Sequence, residues 1–541
     1  MQISKGLFAK RRPHLEMCQQ IAEHMYPARA DFTSEVQLGD DFAGTVYDSF
    51  PINARETLGN FIQVLREREW FQVRTGNEER DEKVGNAKAL DLATKALRHI
   101  IKQPSFRWEP TTKEADMDWV AFGAPVISVE ENKARDGLVS RAWHPKNNAW
   151  MVNEDGAIDC NHRKFKMSAR NMKRMKDSGR WKGELSHDVK MACELDPTKE
   201  FECLHILMPT EELYGSDGKK LREVRHPFIS IYIDIEGETY LNEMGSPVFN
   251  YVIPRWRTLG TDPNGWSPVA YNALPDGRML QAMARVILEQ GEKAVDPPTL
   301  GVGNLFPRDM NFFAGGHTEV DLPEDAKIQD KFTTLQTSEG LRVGLELKQD
   351  VRSMIAEAFL LNKLFMPSGA KTAYEANLIY EEFRRAALPF LTPIESQYHS
   401  PLLGLTFEMA VNMGAIPAEI FPDELRGRDI TFTFNSPLNE AEGRRKVLAY
   451  QETLQIVASG AQVDPTIGKQ FNIRKAAVDA VAGTGAEPDW TLDPDEIEKI
   501  NAQDQQVKQL AEAAQIAQGG AGAVADVSNA AMAAQQAGFA G

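Results

Sequence analysis

Residues Glu292 to Pro307 read EKAVDPPTLGVGNLFP, and the layout of the chain depends on whether this stretch is a phosphate-binding loop or the end of a helix. The residues before it, from Asp276, are good helix formers. Leu280, Met283 and Ile287 give the i, i+3, i+7 spacing of a packing stripe, while Arg278, Gln281, Arg285 and Glu289 are polar. Asp276 suits an N-cap. The helix expected from Asp276 to Ala294 would extend about 28 Å at roughly 1.5 Å per residue. Pro297 and Pro298 cannot continue it, and Asp296, standing before a proline, is pushed toward extended geometry. A dinucleotide fingerprint needs Gly-x-Gly-x-x-Gly between a strand and a helix N-terminus, so that amides and the helix dipole face the phosphates. Here Gly301-Val302-Gly303 follows a helix end, so the context is reversed and the stretch reads as a stop.

Working outward, strand and loop are expected as far as Gln336, and a second long helix near Ser338. Leu341, Leu345 and Met354 or Ile355 mark its apolar side, with Arg342, Lys348 and Arg352 on or near the other. The segment between is therefore an insertion between two helices that could lie antiparallel. A further helical stretch from Thr372 to about Met413 is punctuated by Pro389, Pro393 and Pro401, so kinks are expected. Residues 438–459 and 494–517 are helical in pattern, and the Ala-, Gly- and Gln-rich tail beyond has little to bury. Toward the N-terminus, 13–27, 51–69 and part of 82–103 read as helices. From Ala124 to about Phe165, and in FECLHILM, PFISIYIDI and VFNYVIPRW, short runs of β-branched and aromatic residues alternate with turns. The fold class is mixed α+β.

The totals exclude several functions. A chain of 541 residues with 42% hydrophobic content has material for two to four packed units. Its net charge of −17 argues against gripping nucleic acid, because phosphate neutralisation needs clustered Lys and Arg. The longest apolar stretch, Trp119 to Val129, is broken by Gly123 and Pro125, so no membrane span is expected, and the N-terminus lacks the apolar core of a secretory signal. Four cysteines without a Cys-x-x-Cys pair fit a reducing compartment. Neither TIGKQF at Gly468 nor SGAKTA at Gly369 completes a Walker A loop, so no nucleotide cofactor is expected. Cys160-x-His162, Cys203-x-His205 and Cys193 have the right chemistry for zinc but the wrong spacing; two residues apart on a strand means one face. No catalytic motif appears, and no catalytic or metal residue is assigned. The most basic run, His162 to Asp177, reads as a strand leading into a solvated helix, with a contact to DNA or to an acidic neighbouring subunit as the sharper alternative.

Several segments taken in order carry a resemblance: GNFIQVLREREWFQVRTG with Trp70 and Phe71; DWVAFGAPVISVEE with Phe122 and Gly123; VIPRWRTLGTDPNGWSPVAYNALPD with Pro254, Arg255, Trp256, Gly265, Pro268 and Ala273 to Asp276; the helix into Asp296-Pro297-Pro298; and TAYEANLIYEEFRRAALPFLTPIES. Over roughly 15–420 the chain resembles the head-to-tail connector, or portal, proteins of short-tailed, podovirus-type bacteriophages. The resemblance implies a non-enzymatic portal fold assembled as a ring, usually a dodecamer, at one capsid vertex of the virion. It places a wing over 1–275, a first stem helix over 276–295, a clip over 296–336 and a second stem helix over 337–363. A channel loop and long kinked wing helix follow over 364–437, then a crown and tail over 438–541. Lys348, Arg352, Met366, Ser368 and Lys371 become candidate channel-facing residues, and Phe306, Phe312 and Phe313 candidate docking anchors on the clip, unless those phenylalanines belong to clip core or subunit interface. The implied partners are further copies of the chain, a terminase packaging ATPase, tail adaptor and tail tube proteins, major capsid and scaffolding proteins, and double-stranded DNA passing without sequence preference. Assembly would occur in the host cytoplasm. An acidic lumen would keep electrostatic friction on DNA low. The alternatives are another ring-forming virion component such as a tail adaptor, or an unrecognised hydrolase.

Overall fold

The computed structural model describes residues 1–35, 44, 46–66, 70–81, 84–132, 134, 136–213, 225–260, 262–302, 313–320, 332–334, 338–364, 389–390, 392–425, 430–434, 437–461, 471–473, 476–477, 480–481 and 507. Within residues 1–434 the described elements run α1 (Gln2–Met25), α2 (Phe50–Val64), β1 (Phe71–Arg74), α3 (Glu78–Asp81), α4 (Val84–Lys102) and α5 (Trp108–Phe122). A strand-rich region follows: β2 (Val126–Glu131), β3 (Leu138–Trp143), β4 (Asn148–Val152), β5 (Ile158–Ser168), the helices α6 (Ala169–Asp177) and α7 (His187–Leu195), then β6 (Glu200–Pro209), β7 (Phe228–Asp234), β8 (Thr239–Ser246) and β9 (Tyr251–Val252). Then come α8 (Pro268–Val295), β10 (Thr299–Val302), β11 (His317–Val320), β12 (Phe332–Thr334), α9 (Ser338–Ala358), α10 (Leu361–Leu364), a π-helical turn at Ile394–His399, α11 (Ser400–Asn412) and β13 (Thr431–Phe434). The second unit, from Asn435, carries α12 (Pro437–Ala461). The class is mixed α and β, and among the described residues no helix is long and apolar enough to cross a membrane.

β4 to β8 form an antiparallel five-stranded sheet in sequence order. The period-two pattern of β6 sorts its side chains. Phe201 and Cys203 pack with Met172, Trp181, Val189 and Leu241, whereas Leu204 and Ile206 join Ile229 and Ile231 on the other face, with Phe8 of α1 against them. The short antiparallel β1–β13 pair joins regions remote in sequence, Phe71 opposite Phe434.

One junction ties helices to strands. α5 ends at Gly123, whose φ of 76° is left-handed geometry that favours glycine. A β-carbon built there would lie 2.2 Å from the carbonyl carbon of Trp266 and 2.4 Å from the amide of Ser267. The glycine is thus needed twice, for its torsion and for the close approach of the chain entering α8. Ser267 locks the contact: its hydroxyl donates to the Val120 carbonyl (2.6 Å) and accepts from the Ala270 amide (3.2 Å) as the N-cap of α8. The Trp256 amide donates to the Gly123 carbonyl (2.8 Å), and Trp119 stacks on Trp256 with ring centroids 5.4 Å apart. This explains a difference from the sequence expectation. α8 begins at Pro268, not at Asp276, because Ser267 is a better-placed cap and Pro268 suits the first turn. Pro275 sits inside the helix, and Asp276 is an ordinary interior residue.

α5 is buried on nearly every side and still carries acids. Arg66 donates to Asp116 Oδ1 (3.0 Å) and also pairs with Oδ2, and Arg29 reaches Asp118 Oδ2 (2.7 Å) and Glu114 Oε1 (2.8 Å). Arg66 also donates to His399 Nε2 (3.1 Å); burial, then the guanidinium, holds that imidazole's pKa far below its ordinary value, in keeping with an accepting nitrogen. His399 closes the π-helical turn that follows Pro393, where the sequence indicates a kink.

Gly123→Ala is expected to cost about 3 kcal/mol or more, torsional strain and overpacking each contributing roughly 1–3 kcal/mol, read as a large fall in the thermal midpoint. Asp116→Ala strands a buried guanidinium and should cost about 3–5 kcal/mol, whereas a change at exposed Arg12 should stay within about 0.5 kcal/mol.

Candidate functional site

α8 and α9 pack against each other, and their contacts fix the direction. Gly344 lies opposite Ile287, whereas Lys348 and Arg352 share a partner with Gln281, so the helices run antiparallel. Their inner faces bury Leu280, Gln281 and Ala284 on α8 and Val351 and Ile355 on α9. The apolar stripe expected on α9 is partly on the wrong side: Ile355 is buried, but Leu345 and Met354 are 52% and 44% exposed.

The segment before α2 provides what Lys348 and Arg352 face. Asp48 is buried, and its Oδ2 accepts from Lys348 Nζ (2.9 Å) and Arg352 Nη2 (2.8 Å), while Oδ1 caps the Phe50 amide (3.0 Å). From α8, the Gln281 side chain accepts from the Tyr47 and Asp48 amides and donates to the Asp48 carbonyl. Arg352 also lies over the Phe50 ring. One carboxylate and one carboxamide thus clasp both helices of the pair to the N-terminal region. Burial alone would raise the Asp48 carboxyl, but Lys348, the Phe50 amide and Arg352 outweigh it and hold the pKa below the usual value.

The connection between α8 and α9 begins at Asp296, the residue that caps α8. β10 starts directly after Pro298 and pairs in parallel with β11 and antiparallel with β12. The Gly301 backbone therefore belongs to a sheet ladder, not to a pliant or phosphate-cradling loop. Gly315 at φ 70° packs on the Asp296 carboxylate, and its amide donates to the Asp296 carbonyl (2.9 Å).

Of the residues singled out by sequence, Lys348 and Arg352 come together on Asp48, and Phe313, 62% exposed, stands in the turn before β11. Phe306, Phe312, Met366, Ser368 and Lys371 lie outside the described residues. Asp48 and Gln281 were missed: Asp48 reads as a turn residue before a helix and Gln281 as a solvated position. The histidines of the Cys and His pairs are engaged by other side chains. His205 bonds the Tyr251 hydroxyl (2.8 Å) and Ser230 Oγ (2.9 Å), His162 bonds Ser4 (2.6 Å), and burial pushes the Cys18 and Cys203 thiols up to about 12. Among the described residues no group of three or more His, Cys, Asp or Glu is placed to hold a metal. A cavity of about 490 Å³ lined by Phe228, Tyr251, Ile253 and Leu405 carries Glu408, whose carboxyl burial raises.

The clasp has a pH signature. A carboxyl held below its unfolded value stabilises above that value, near pH 4, and the contribution is lost as pH falls through the folded pKa. Asp48→Asn should cost about 1–3 kcal/mol at pH 7, and the gap to the wild type should narrow as melts are recorded from pH 5 toward pH 2. An equal gap at both ends would show that the carboxylate's charge is irrelevant.

No curated protein matches the chain. A solved structure described as "Virion of native gene transfer agent (GTA) particle" contains a similar chain at 10% identity and a TM-score of 0.36, covering 76% of this chain and 87% of that one. A likeness that remote carries no weight for the fold. The family model described as "Bacteriophage head to tail connecting protein" matches residues 1–492. That match covers the strand-rich region, the junction at Gly123 and the clasped helix pair, and the chain belongs to this family of structural phage proteins that connect head to tail.

Proposed function

We propose that copies of this chain, twelve in the usual arrangement of such connectors, close into a ring around an axial channel at one capsid vertex. Through it double-stranded DNA enters during packaging and leaves during ejection. In this reading residues 1–275 form the wing, 276–295 and 337–363 the two stem helices, 296–336 the clip, 364–437 the channel loop and kinked wing helix, and 438–541 the crown and tail. The observation that carries it is the α8–α9 pair. Met279, Val286 and Leu288 on α8, and Val343, Leu347 and Met354 on α9, are each at least 41% exposed although the pair's inner face is already filled. Apolar side chains repeated along two helices need a cover, and identical neighbours around a ring supply one.

The chain's charge fits a conduit. A net charge of −17 disfavours tight phosphate binding, so DNA passes a wall that does not hold it. Lys348 and Arg352 are engaged by Asp48, so their part is to position the stem. Direct contact with DNA falls to the segment after α9 that holds Met366, Ser368 and Lys371. The clip, with Phe306, Phe312 and Phe313, docks the terminase ATPase during packaging and the tail adaptor afterwards. Major capsid and scaffolding proteins surround the wing, and assembly takes place in the host cytoplasm.

Electron microscopy of the purified chain should show rings of uniform size with an axial opening, and a monodisperse monomer at micromolar concentration would overturn the proposal. Val286→Asp with Val343→Asp, both on exposed positions, should abolish rings while changing monomer stability by about 1 kcal/mol or less.

A further inference from the structure

The five-stranded sheet carries opposite charges at its two ends. β5 has 11 residues and so spans about 33 Å at roughly 3.3 Å per residue. At its start, the β4–β5 turn presents Glu154 and Asp155, and Asp159 follows on the strand. The register of β5 with β6, Asn161 opposite Leu207, brings the end of β6 and the adjoining Glu211 and Glu212 to the same place. Glu154, Asp155, Glu211 and Glu212 are exposed and Asp159 partly so. Partial desolvation by the surrounding chain raises the Asp159 and Glu212 carboxyls, and neighbouring acids add to the rise. Arg255 reaches this end but donates to the Gly156 carbonyl.

At the far end β5 runs into α6. Ala169 and Met172 are the buried side of that short helix, so Arg170, Lys173 and Arg174, spaced i, i+3, i+4, form its outward face, with Lys166 exposed just before it. Among the described residues none of these four cations makes an ion pair, in contrast to Lys176, which reaches Glu184 at 3.1 Å. Nor does any of the five acids at the opposite end. Glu202 stands opposite Lys166 in the ladder and Arg225 precedes β7 at the acidic end, so the two rows of unanswered charge are Arg170, Lys173 and Arg174 on α6 and the acids on the β4–β5 turn and after β6.

We propose that the cationic face of α6 docks on the acidic end of the sheet in the adjacent copy, a head-to-tail contact repeated around the ring. It deepens the ring reading above and rests on it. A second copy fits better than nucleic acid, because an overall charge of −17 repels phosphate and because this partner answers both rows at once. Two different patches meeting by one repeated rotation are what a closing heterologous interface requires. Contacts of this kind fix register and are weakened by salt.

The test uses the full-length chain in three forms, with folding checked by circular dichroism and assembly by mass photometry at 50 and 500 mM salt. The first variant carries Arg170→Glu, Lys173→Glu and Arg174→Glu. The second carries Glu154→Lys, Asp159→Lys and Glu212→Lys. The third carries both sets. Each single set should raise the concentration needed for half-assembly tenfold or more at low salt, and the combined chain should return to within about threefold of the wild type. Wild-type rings with either single set assembling normally, or with the combined chain failing to recover, would overturn the contact alone. A wild-type chain that stays monomeric would remove the ring reading and the contact with it. If the first variant forms normal rings but binds a double-stranded DNA fragment less well, the α6 face belongs to nucleic acid and the proposal falls.

Discussion

The absence of a side chain at Gly123 is the constraint on which the other placements depend. The start of α8 comes so near the end of α5 that a single methyl group could not be inserted. The contacts that hold the base of α8 follow from this approach: the Ser267 hydroxyl shared between Val120 and Ala270, the Trp256 amide on the Gly123 carbonyl, and the Trp119–Trp256 stack. Since α9 packs on α8, the base of the pair is held against a helix buried among the others, and the Asp48 clasp holds it further along. The lever is long. α8 has 28 residues, about 42 Å at roughly 1.5 Å each, so a small rotation at its base becomes a displacement of several ångströms at its tip.

Charge inside the molecule is handled by arginine. Asp116 and Asp118 on α5 meet Arg66 and Arg29, but Arg11 and Arg163 are buried without a carboxylate in hydrogen-bonding reach among the described residues. Arg11 donates to Asn264 Oδ1 (3.0 Å) and to the Pro145 and Asn148 carbonyls, with its guanidinium 3.7 Å from the Trp150 ring centroid. Arg163 donates to the Tyr251 hydroxyl (2.8 Å) and lies 3.7 Å from the Trp143 ring centroid. Burial lowers Arg11 to about 10, still charged at neutral pH. A flat cation with five donors can hold several chain segments at once. In this way α1 is fastened to the loop before α8 and to the sheet.

Local chemistry announced part of this. Pro297 and Pro298 end α8 as their ring geometry demands, Gly123 follows Phe122 as a helix-ending residue should, and the alternation in FECLHILM is a true strand. Local chemistry misled where the deciding partner was distant. Asp276 looked like a cap because its own neighbours allow it, yet Ser267 had Val120 to hold, nearly 150 residues earlier. Gln281 looked solvated because glutamine usually is, and Lys348 and Arg352 looked free to meet a ligand. All three are claimed by Asp48, which no periodicity relates to them. The polarity of the site was legible in the sequence, but its pairing was not, and five of the eight residues singled out lie outside the described part of the chain.

The Asp48 clasp also has a consequence in time. Its partners lie 233 and 304 residues further along the chain, so a nascent polypeptide can fold its N-terminal helices and its sheet well before the clasp has anything to close on. Loop closure over such separations is slow compared with local helix formation. The helix pair is therefore set in its final attitude only once Arg352 has left the ribosome and found a carboxylate that has been waiting since the start of synthesis. A chain that stops short of Lys348 keeps the Gln281 half of the clasp and lacks the two cations that answer Asp48.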